Sequence, residues 1–303
     1  MRNKLDIYDI VLIGNYTKDT IVSASGTRFA DGGGIYYGAC TAVVMGLKVA
    51  VVTRIAKADI HAVHNLKRIG VVVFPEFTPQ STQMQLEYPA NDPHNRILST
   101  TSTAGSFTSD QIKDLQARIF LITPCVRGEV PLKVINELRQ KDVLLAGDAQ
   151  GFIRVVGSDK RVAHEAWPEK EDILAQLDIL KVDDQEAEFL TGKRNMSESA
   201  EILAGFGPDE IVLTHSKGVL VYAAGKIFEA PYTPRSLEGR TGRGDTCISA
   251  YLASRLKSLP ADSCKFAAAA TSLKLEKEGP FNGTYQDILD KLTTDYLDEK
   301  ETV

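Results

Sequence analysis

The chain has 303 residues, of which 43% are hydrophobic and 25% are charged, and its formal net charge is −5. These values are typical of a globular protein with one large α/β domain or two smaller ones, and a chain this long buries its core without disulfide cross-links. The acidic balance and the lack of a polybasic run argue against a nucleic-acid-binding protein and against a membrane-surface protein.

The cysteines and the N-terminal sequence predict a cytoplasmic protein. The four cysteines are far apart and form no C-x-x-C pair, so reduced thiols are expected: Cys40, Cys125, Cys247 and Cys264. The apolar run in "MRNKLDIYDIVLIGNYTKD" is too short and too acidic for a signal peptide. The sequence has no run of about 18 apolar residues, so no transmembrane helix is predicted.

The predicted elements alternate between strands and helices. Short β-rich runs occur at 9–14 and 47–56, and "GGIYYGACTAVVMG" between them favours a helix that packs closely through small residues. Helix-like segments, such as 131–140 and 186–190, separate four further apolar runs: "RIFLITP", "DVLLAGDAQ", "DILKVDD" and "EIVLTHS". This pattern indicates parallel strands covered on both faces, with ligands beyond their carboxyl ends.

One region interrupts this alternation. Within 71–103, the runs "VVVFPEF", "TQMQLEYP" and "RILSTTST" alternate polar and apolar residues and predict antiparallel strands. Together with 15–31 they are expected to form a small extra sheet, which is either decoration or a lid over a site. The lid is favoured because an exposed sheet face needs a covering partner. The whole chain, 1–303, is predicted to be a single domain.

The stretch "SLEGRTGRGDTCISAYLASRL" predicts a phosphate site. Gly242 and Gly244 flank Arg243 just before a predicted helix, and glycine amides at a helix start bind anions. Asp245 would repel a phosphate unless it accepts the proton of a hydroxyl that attacks the phosphorus. The alternative, that Asp245 only caps the helix, has equal weight on the motif alone. The motif is neither a Walker A loop nor a dinucleotide fingerprint.

Four segments, in the same order, resemble the PfkB or ribokinase-like carbohydrate kinases. "TGRGDTCISAYL" is similar to the family's C-terminal T-G-A-G-D segment, and "LKVDDQEAEFLTG" to its K-P-N-x-x-E-x-x-x-L-T-G segment. "DGGGIYYGACTAVVMGLKVAVVTRIAKAD" resembles the N-terminal glycine segment, and "IVLTHSKGVLVY" the nucleotide-side strand and turn. The resemblance implies a three-layer α/β/α core with a mainly parallel central sheet and a small β-sheet lid.

The resemblance also implies the activity. In this family ATP, with Mg²⁺, phosphorylates a hydroxyl of a small polyol, sugar or nucleoside. "LEGRTGRGDTC" and "GDAQGFIRV" are most similar to a subgroup that includes microbial myo-inositol kinases, so myo-inositol or a related cyclitol is the expected acceptor. A ketose, a sugar acid or a nucleoside stays open as acceptor. Whether the lid also mediates a homodimer stays open as well.

The resemblance carries roles to individual residues. Asp245 is implied to be the general base, with Gly242, Arg243 and Gly244 as the anion hole. The implied substrate contacts are Asp19, Gly32, Gly33, Gly34, Tyr37, Asp148 and Arg154. The implied nucleotide contacts are Thr214, Ser216, Gly218, Thr241, Ala268 and Thr271. Asp183 and Glu186 are implied to organise Mg²⁺ through water.

Each of these roles has a plainer alternative. Asp19 and the glycines could form ordinary turns, and Asp183 and Glu186 could be two acids favoured at a helix start. Asp148 and Arg154 could form a structural ion pair. The segment around Ala268 and Thr271 could be an ordinary contact between a helix and the sheet.

Three departures from the family pattern limit the resemblance. Gly239 and Arg240 stand where the family often has Asp-Thr, and that Asp commonly helps build a monovalent-cation site, so activation by potassium does not follow. Tyr37 replaces an Asn that often contacts substrate, which should change which ring is accepted. Arg243 replaces a small residue, and its guanidinium is expected to reach the γ-phosphate or the substrate. Arg240 could take this role instead, or either arginine could pair with Glu238.

Two other classes of protein fit the sequence less well than a kinase. A binding or regulatory protein could keep the fold without catalysis, but the intact Gly-x-Gly-Asp and the acidic pair at Asp183 and Glu186 argue against it. A nicotinamide-dependent oxidoreductase would need a glycine fingerprint after the first strand, which is missing.

Overall fold

The computed structural model describes residues 7–24, 26–88 and 97–296. Its strands are β1 (Ile7–Ile13), β2 (Thr17–Ser23), β3 (Gly26–Gly32), β4 (Val49–Ala56), β5 (Val72–Thr78), β6 (Thr82–Glu87), β7 (Ile97–Ser102), β8 (Gln116–Ile122), β9 (Leu144–Asp148), β10 (Arg154–Val156), β11 (Val162–His164), β12 (Ile179–Asp183), β13 (Glu210–Thr214), β14 (Gly218–Ala223) and β15 (Lys226–Pro231). Its helices are α1 (Gly34–Val44), α2 (Ile60–Arg68), α3 (Leu132–Arg139), α4 (Gln150–Ile153), α5 (Lys170–Leu174), α6 (Asp184–Thr191), α7 (Met196–Ala204), α8 (Arg243–Arg255), α9 (Pro260–Leu275) and α10 (Tyr285–Tyr296).

The large sheet has the strand order β15-β14-β13-β12-β9-β8-β1-β4-β5. Neighbouring strands are parallel from β13 to β5, and β14 and β15 are antiparallel at the other edge. Ile10 and Leu12 of β1 face a core formed with α1, α2, α8 and α9, whereas Val11 and Ile13 face a core formed with α3, α5, α6 and α7. The predicted mainly parallel sheet between two helical layers is therefore confirmed.

The small sheet has the strand order β3-β2-β6-β7, and it covers one end of the large sheet. Its β2–β6 pairing is parallel and its other pairings are antiparallel, including the β6–β7 pairing within the segment 71–103 that was predicted to be antiparallel. Residues 89–96, within the segment predicted for this sheet, lie outside the described residues.

The expectation that "VVVFPEF" belongs to the small sheet is wrong. This run forms β5, which pairs in parallel with β4 at the edge of the large sheet. Its Pro75 has no N–H group to donate, which an edge strand tolerates and a central strand does not. Alternating polar and apolar residues predict a strand with one exposed face, but they do not indicate which sheet it joins.

The carboxyl ends of the parallel strands carry polar residues at one edge of the large sheet. Thr123 follows β8, Asp148 ends β9, Asp183 ends β12 and Thr214 ends β13. The N-termini of α1 and α8 lie at the same edge. Polar side chains and helix N-termini therefore meet where a parallel sheet binds its ligands.

Close packing between α1 and α8 brings their two N-termini together. A Cβ on Gly38 of α1 would lie 2.6 Å from the Ser249 Oγ of α8, so only glycine fits this contact.

No helix in the described part of the chain is long and apolar enough to cross a membrane.

Candidate active site

A cleft of about 900 Å³ lies between the small sheet and the carboxyl ends of the large sheet. Its volume is in the range of small-molecule sites. The predicted site residues that line it are Asp19, Gly33, Gly34, Tyr37, Arg154, Asp183, Thr214, Ser216, Thr241, Gly242, Arg243, Gly244 and Asp245.

The turn before α8 puts Asp245 at the start of a helix and in the cleft. Gly242 is the N-cap of α8 and has a left-handed backbone, with φ 80° and ψ 10°, which favours glycine. Asp245 follows in the first turn, so it is not the N-cap residue. A Cβ on Gly34 would lie 2.9 Å from the Asp245 Oδ1, so the missing side chain at 34 leaves room for this carboxylate against the start of α1.

Asp19 and Tyr37 lie beside Asp245 in the same cleft. Asp19, on β2, is 5% exposed, and its carboxylate lies against Gly32, where any side chain would overlap it. Tyr37 is 3% exposed, and its ring occupies the place of a side chain on Gly242. Burial, and then the nearby Asp19 and Asp245, raise the pKa of Tyr37, so its phenol stays protonated and can donate a hydrogen bond.

Lys181 is a site residue that the sequence interpretation missed. It lies on β12, lines the cleft, and places its Nζ 3.0 Å from where a Cβ on Gly244 would be. The Nζ is also 3.2 Å from Asp148 Oδ2 and 3.7 Å from Glu186 Oε2. Burial alone would lower the pKa of Lys181, but these carboxylates outweigh it and raise the pKa, so the ammonium stays charged. The available signal was a lysine inside the apolar run "DILKVDD".

Asp148 lies behind Lys181 rather than at the cleft surface. It is 1% exposed and is not among the residues that line the cleft, and its carboxylate forms an ion pair with Lys181. Arg154 does line the cleft, but its ion-pair partner is Glu186, with 3.8 Å between Nη2 and Oε1. Arg154 and Lys181 therefore present two cations to the cleft, backed by buried carboxylates.

Asp183 and Glu186 form a capping box at the start of α6. The Glu186 N–H donates to Asp183 Oδ1 at 2.7 Å, and the Asp183 N–H donates to Glu186 Oε2 at 2.8 Å. Burial raises the pKa of Glu186 to about 7, against the opposing effect of Lys181. Asp183 lines the cleft, whereas Glu186 is 1% exposed behind it.

The acidic residues suit a magnesium ion whose ligands are mainly waters and substrate phosphates. Among the described residues, no group of three His, Cys, Asp or Glu side chains could hold a metal ion. Mg²⁺ usually keeps several waters and binds through one or two carboxylates plus substrate phosphates. Asp183 at the cleft wall, with Asp184 beside it, fits that kind of binding.

The predicted nucleotide contacts separate into two groups. Thr214, Ser216 and Thr241 line the cleft. Gly218, Ala268 and Thr271 are buried and do not line it; the last two are 0% exposed, and the Thr271 hydroxyl donates to the Ala267 carbonyl at 2.6 Å. Ala268 and Thr271 are therefore packed inside the protein on α9, and Gly218 is buried at the start of β14 against the backbone of β15.

The small sheet contributes an apolar wall to the cleft that no sequence motif indicated. Leu86 on β6 and Leu98 on β7 are direct cross-strand partners, and both line the cleft with Met84 and Tyr88. Val162 of β11, outside the small sheet, extends this wall. Such residues carry no polar signal in the sequence, because ordinary sheet packing produces the same pattern.

Comparison with known families matches residues 3–286 to the pfkB family of carbohydrate kinases. The chain belongs to this family. Its fold is ribokinase-like, and the small sheet next to the cleft corresponds to the lid expected from the sequence. The resemblance inferred from the four motifs is confirmed, and the protein is a pfkB-type kinase.

Two solved structures and one curated relative resemble this pfkB family chain. The structure of a pyrophosphate-dependent kinase in the ribokinase family, complexed with a pyrophosphate analog and myo-inositol, is 36% identical with a TM-score of 0.86, covering 93% of this chain and 99% of that one. The second structure is of a pyrophosphate-dependent myo-inositol-1 kinase that two substitutions to leucine convert into a myo-inositol-3 kinase. It is also 36% identical with a TM-score of 0.86, and the match covers 95% of this chain and 99% of that one. A cytidine kinase of Thermococcus kodakarensis is 28% identical over 269 residues, covering 84% of this chain and 91% of that protein.

Proposed function

We propose that this protein transfers a phosphoryl group from pyrophosphate to one hydroxyl of myo-inositol or a related cyclitol. One observation carries the proposal. A single cleft holds Asp245 and its glycine turn, the carboxylate of Asp19, and a group of cationic side chains. An acid that accepts a proton, amides that bind an anion, and cations for a highly charged donor are what phosphoryl transfer to an alcohol requires.

The acceptor lies between Asp19 and Asp245 in this proposal. Asp19 accepts hydrogen bonds from two neighbouring hydroxyls, and Tyr37 donates one. Asp245 takes the proton of a third hydroxyl as its oxygen forms a bond to phosphorus. The bond from that phosphorus to the bridging oxygen breaks, and orthophosphate leaves with the electron pair.

The cations and amides support the transferred group. The Gly244 N–H, in the first turn of α8, binds the charge that develops in this proposal, whereas the Arg243 N–H donates to the Arg240 carbonyl at 3.3 Å. The Lys181 Nζ lies 3.0 Å from where a Cβ on Gly244 would be. The side chains of Arg240 and Arg243 line the same part of the cleft. Mg²⁺ held through water at Asp183 would add charge neutralisation of the donor phosphates.

Burial of the predicted nucleotide residues favours pyrophosphate over ATP as donor. An adenosine group needs a groove, yet Gly218, Ala268 and Thr271 are buried and leave none at their positions. A donor without a nucleoside must be held by its phosphates alone, and four cations at the cleft suit that: Arg154, Lys181, Arg240 and Arg243. The 36% identity to pyrophosphate-dependent kinases supports the same choice.

The leucine pair of the lid is proposed to decide which hydroxyl reacts. The C1 and C3 hydroxyls of myo-inositol are mirror images, so an enzyme distinguishes them only by how the ring is seated. Leu86 and Leu98 form part of the apolar wall against which the C–H groups of the ring would pack. In one related kinase, two substitutions to leucine change that choice.

A second candidate function is transfer from ATP as donor to a nucleoside such as cytidine as acceptor, which the similarity to a cytidine kinase favours.

³¹P NMR of reactions that contain Mg²⁺ distinguishes the two candidate functions. The donor is pyrophosphate or ATP, and the acceptor is myo-inositol, cytidine or ribose. We expect an inositol monophosphate and orthophosphate from pyrophosphate. Turnover only with ATP would contradict the donor, and cytidine as the sole acceptor would contradict the substrate class.

A further inference from the structure

Lys274 is a buried lysine that no step of the proposed transfer uses. It lies in the last turn of α9, it is 2% exposed, and its Nζ donates to the Gly239 carbonyl at 2.6 Å. Among the residues that the structure describes, no carboxylate oxygen lies within ion-pair distance of this Nζ. A buried lysine without an acidic partner is costly, so it needs an explanation.

The contact with Gly239 anchors the segment that leads into the glycine turn. The N–H groups of Glu238 and Gly239 both donate to the Leu275 carbonyl, at 3.0 and 2.9 Å. A Cβ on Gly239 would overlap the Lys277 carbonyl and lie 2.9 Å from the Lys274 Nζ. The chain is therefore held at the end of α9 immediately before Arg240, which lines the cleft.

The ammonium of Lys274 also reaches the turn from behind. Its Nζ lies 5.9 Å from the ring centroid of Tyr37, and the same ring touches Gly242. The charged groups that face it are Asp245 from α8, Arg28 from β3 and Glu278 from the segment after α9. A positive charge here supports both the anion turn and the ionised form of Asp245.

We propose that Lys274 is a positioning residue whose protonated ammonium holds the glycine turn in its phosphoryl-binding geometry. It touches neither donor nor acceptor. It acts by fixing the Gly239 carbonyl, and through it the segment from Arg240 to Asp245. Turnover therefore requires Lys274 to be charged.

The proposal predicts a loss of activity at alkaline pH without a loss of stability. Burial lowers the pKa of Lys274 to about 8, with Asp245 opposing this effect. Above about pH 8 the folded protein loses this proton, and the turnover number falls. The unfolded chain keeps the proton up to its ordinary pKa of about 10.5, so the Lys274 contribution to stability rises with pH in that window.

Lys274→Met, Lys274→Arg and Lys274→Ala test the proposal, with Lys277→Met as the matched control because Lys277 is exposed three residues further on. Lys274→Met is expected to lower kcat by roughly 10- to 100-fold, the equivalent of one charge-assisted hydrogen bond, with a smaller change in KM. Lys274→Arg keeps its charge and should retain activity above about pH 9. Methylammonium is expected to restore part of the activity of Lys274→Ala.

Wild-type kcat in a folded Lys274→Met protein would overturn the proposal. A decrease in the kcat of Lys274→Arg at the same alkaline pH as in the wild type would also overturn the proposal. This second test decides the question if Lys274→Met does not fold, as judged by the lack of a cooperative unfolding transition. The inference rests on the proposed function for its assay. If the wild-type protein turns over a different donor or acceptor, the proposed function fails. The Lys274 variants are then assayed with that donor and acceptor, and their kcat is compared with that of the wild type.

Discussion

Replacing Lys181 with methionine removes the one ammonium that Asp148 and Glu186 share. Both carboxylates are about 1% exposed, and the Lys181 Nζ lies 3.2 and 3.7 Å from them. Removing one partner of a buried ion pair typically costs about 3–5 kcal/mol, because the remaining charge is left uncompensated. For a chain of 303 residues this corresponds to a decrease in Tm of roughly 5–8 °C.

The loss should depend on pH with a definite sign. Without Lys181, the pKa values of Asp148 and Glu186 rise further above those of the unfolded chain. Such groups stabilise the fold at low pH, and that stability is lost as the pH rises through the folded pKa. The deficit of Lys181→Met is therefore expected to be small near pH 5 and large near pH 8.

Calorimetric unfolding of three variants at several pH values measures this effect. The double variant Lys181→Met/Asp148→Asn should recover at least half of the decrease in Tm, because it removes one of the two buried carboxylates that have lost their lysine partner. Lys193→Met, an exposed lysine paired with Glu198, is the control and should change Tm by less than about 2 °C. A Tm of Lys181→Met within about 2 °C of the wild type near pH 8, or a deficit independent of pH, would refute the reasoning.

The remaining predictions concern catalysis. Arg243→Ala should lower kcat at saturating pyrophosphate by ~10³-fold or more if its guanidinium supports the transferred group, and unchanged kcat and KM would leave this arginine a structural residue. Gly34→Ala should lose most turnover, because its methyl group would collide with the Thr123 side chain and press on the Asp245 carboxylate; wild-type kcat in the folded variant would show that this close approach is not needed. Leu86→Asn with Leu98→Ser should change the ratio of the 1- and 3-phosphates of myo-inositol, measured by chiral chromatography, whereas an unchanged ratio would exclude the leucine pair as its determinant.

Motifs with a strong local cause were predicted from the sequence. The alternation of apolar runs and helices predicted the parallel sheet, because each run needs helices on both faces to bury it. The glycine turn before α8 was also predicted, since a left-handed residue at Gly242 and a helix start are local properties. Asp245 could be located in this way, although its contact with Gly34 could not.

Features that depend on distant packing were not predicted. β5 joins the large sheet because of its pairing with β4, and nothing within "VVVFPEF" specifies that partner. Lys181 and Lys274 acquire their roles from residues far along the chain, Asp148 and Gly239. Their only sequence signal is a lysine within an otherwise apolar or small-residue element.

The central claim is that Asp245 accepts the proton of the attacking hydroxyl. Asp245→Asn keeps the size of the side chain and removes its basicity, so we expect a wild-type Tm together with a decrease in kcat of ~10²–10⁴-fold, measured by orthophosphate release with pyrophosphate and myo-inositol. A folded Asp245→Asn protein that turns over at the wild-type rate would contradict the account.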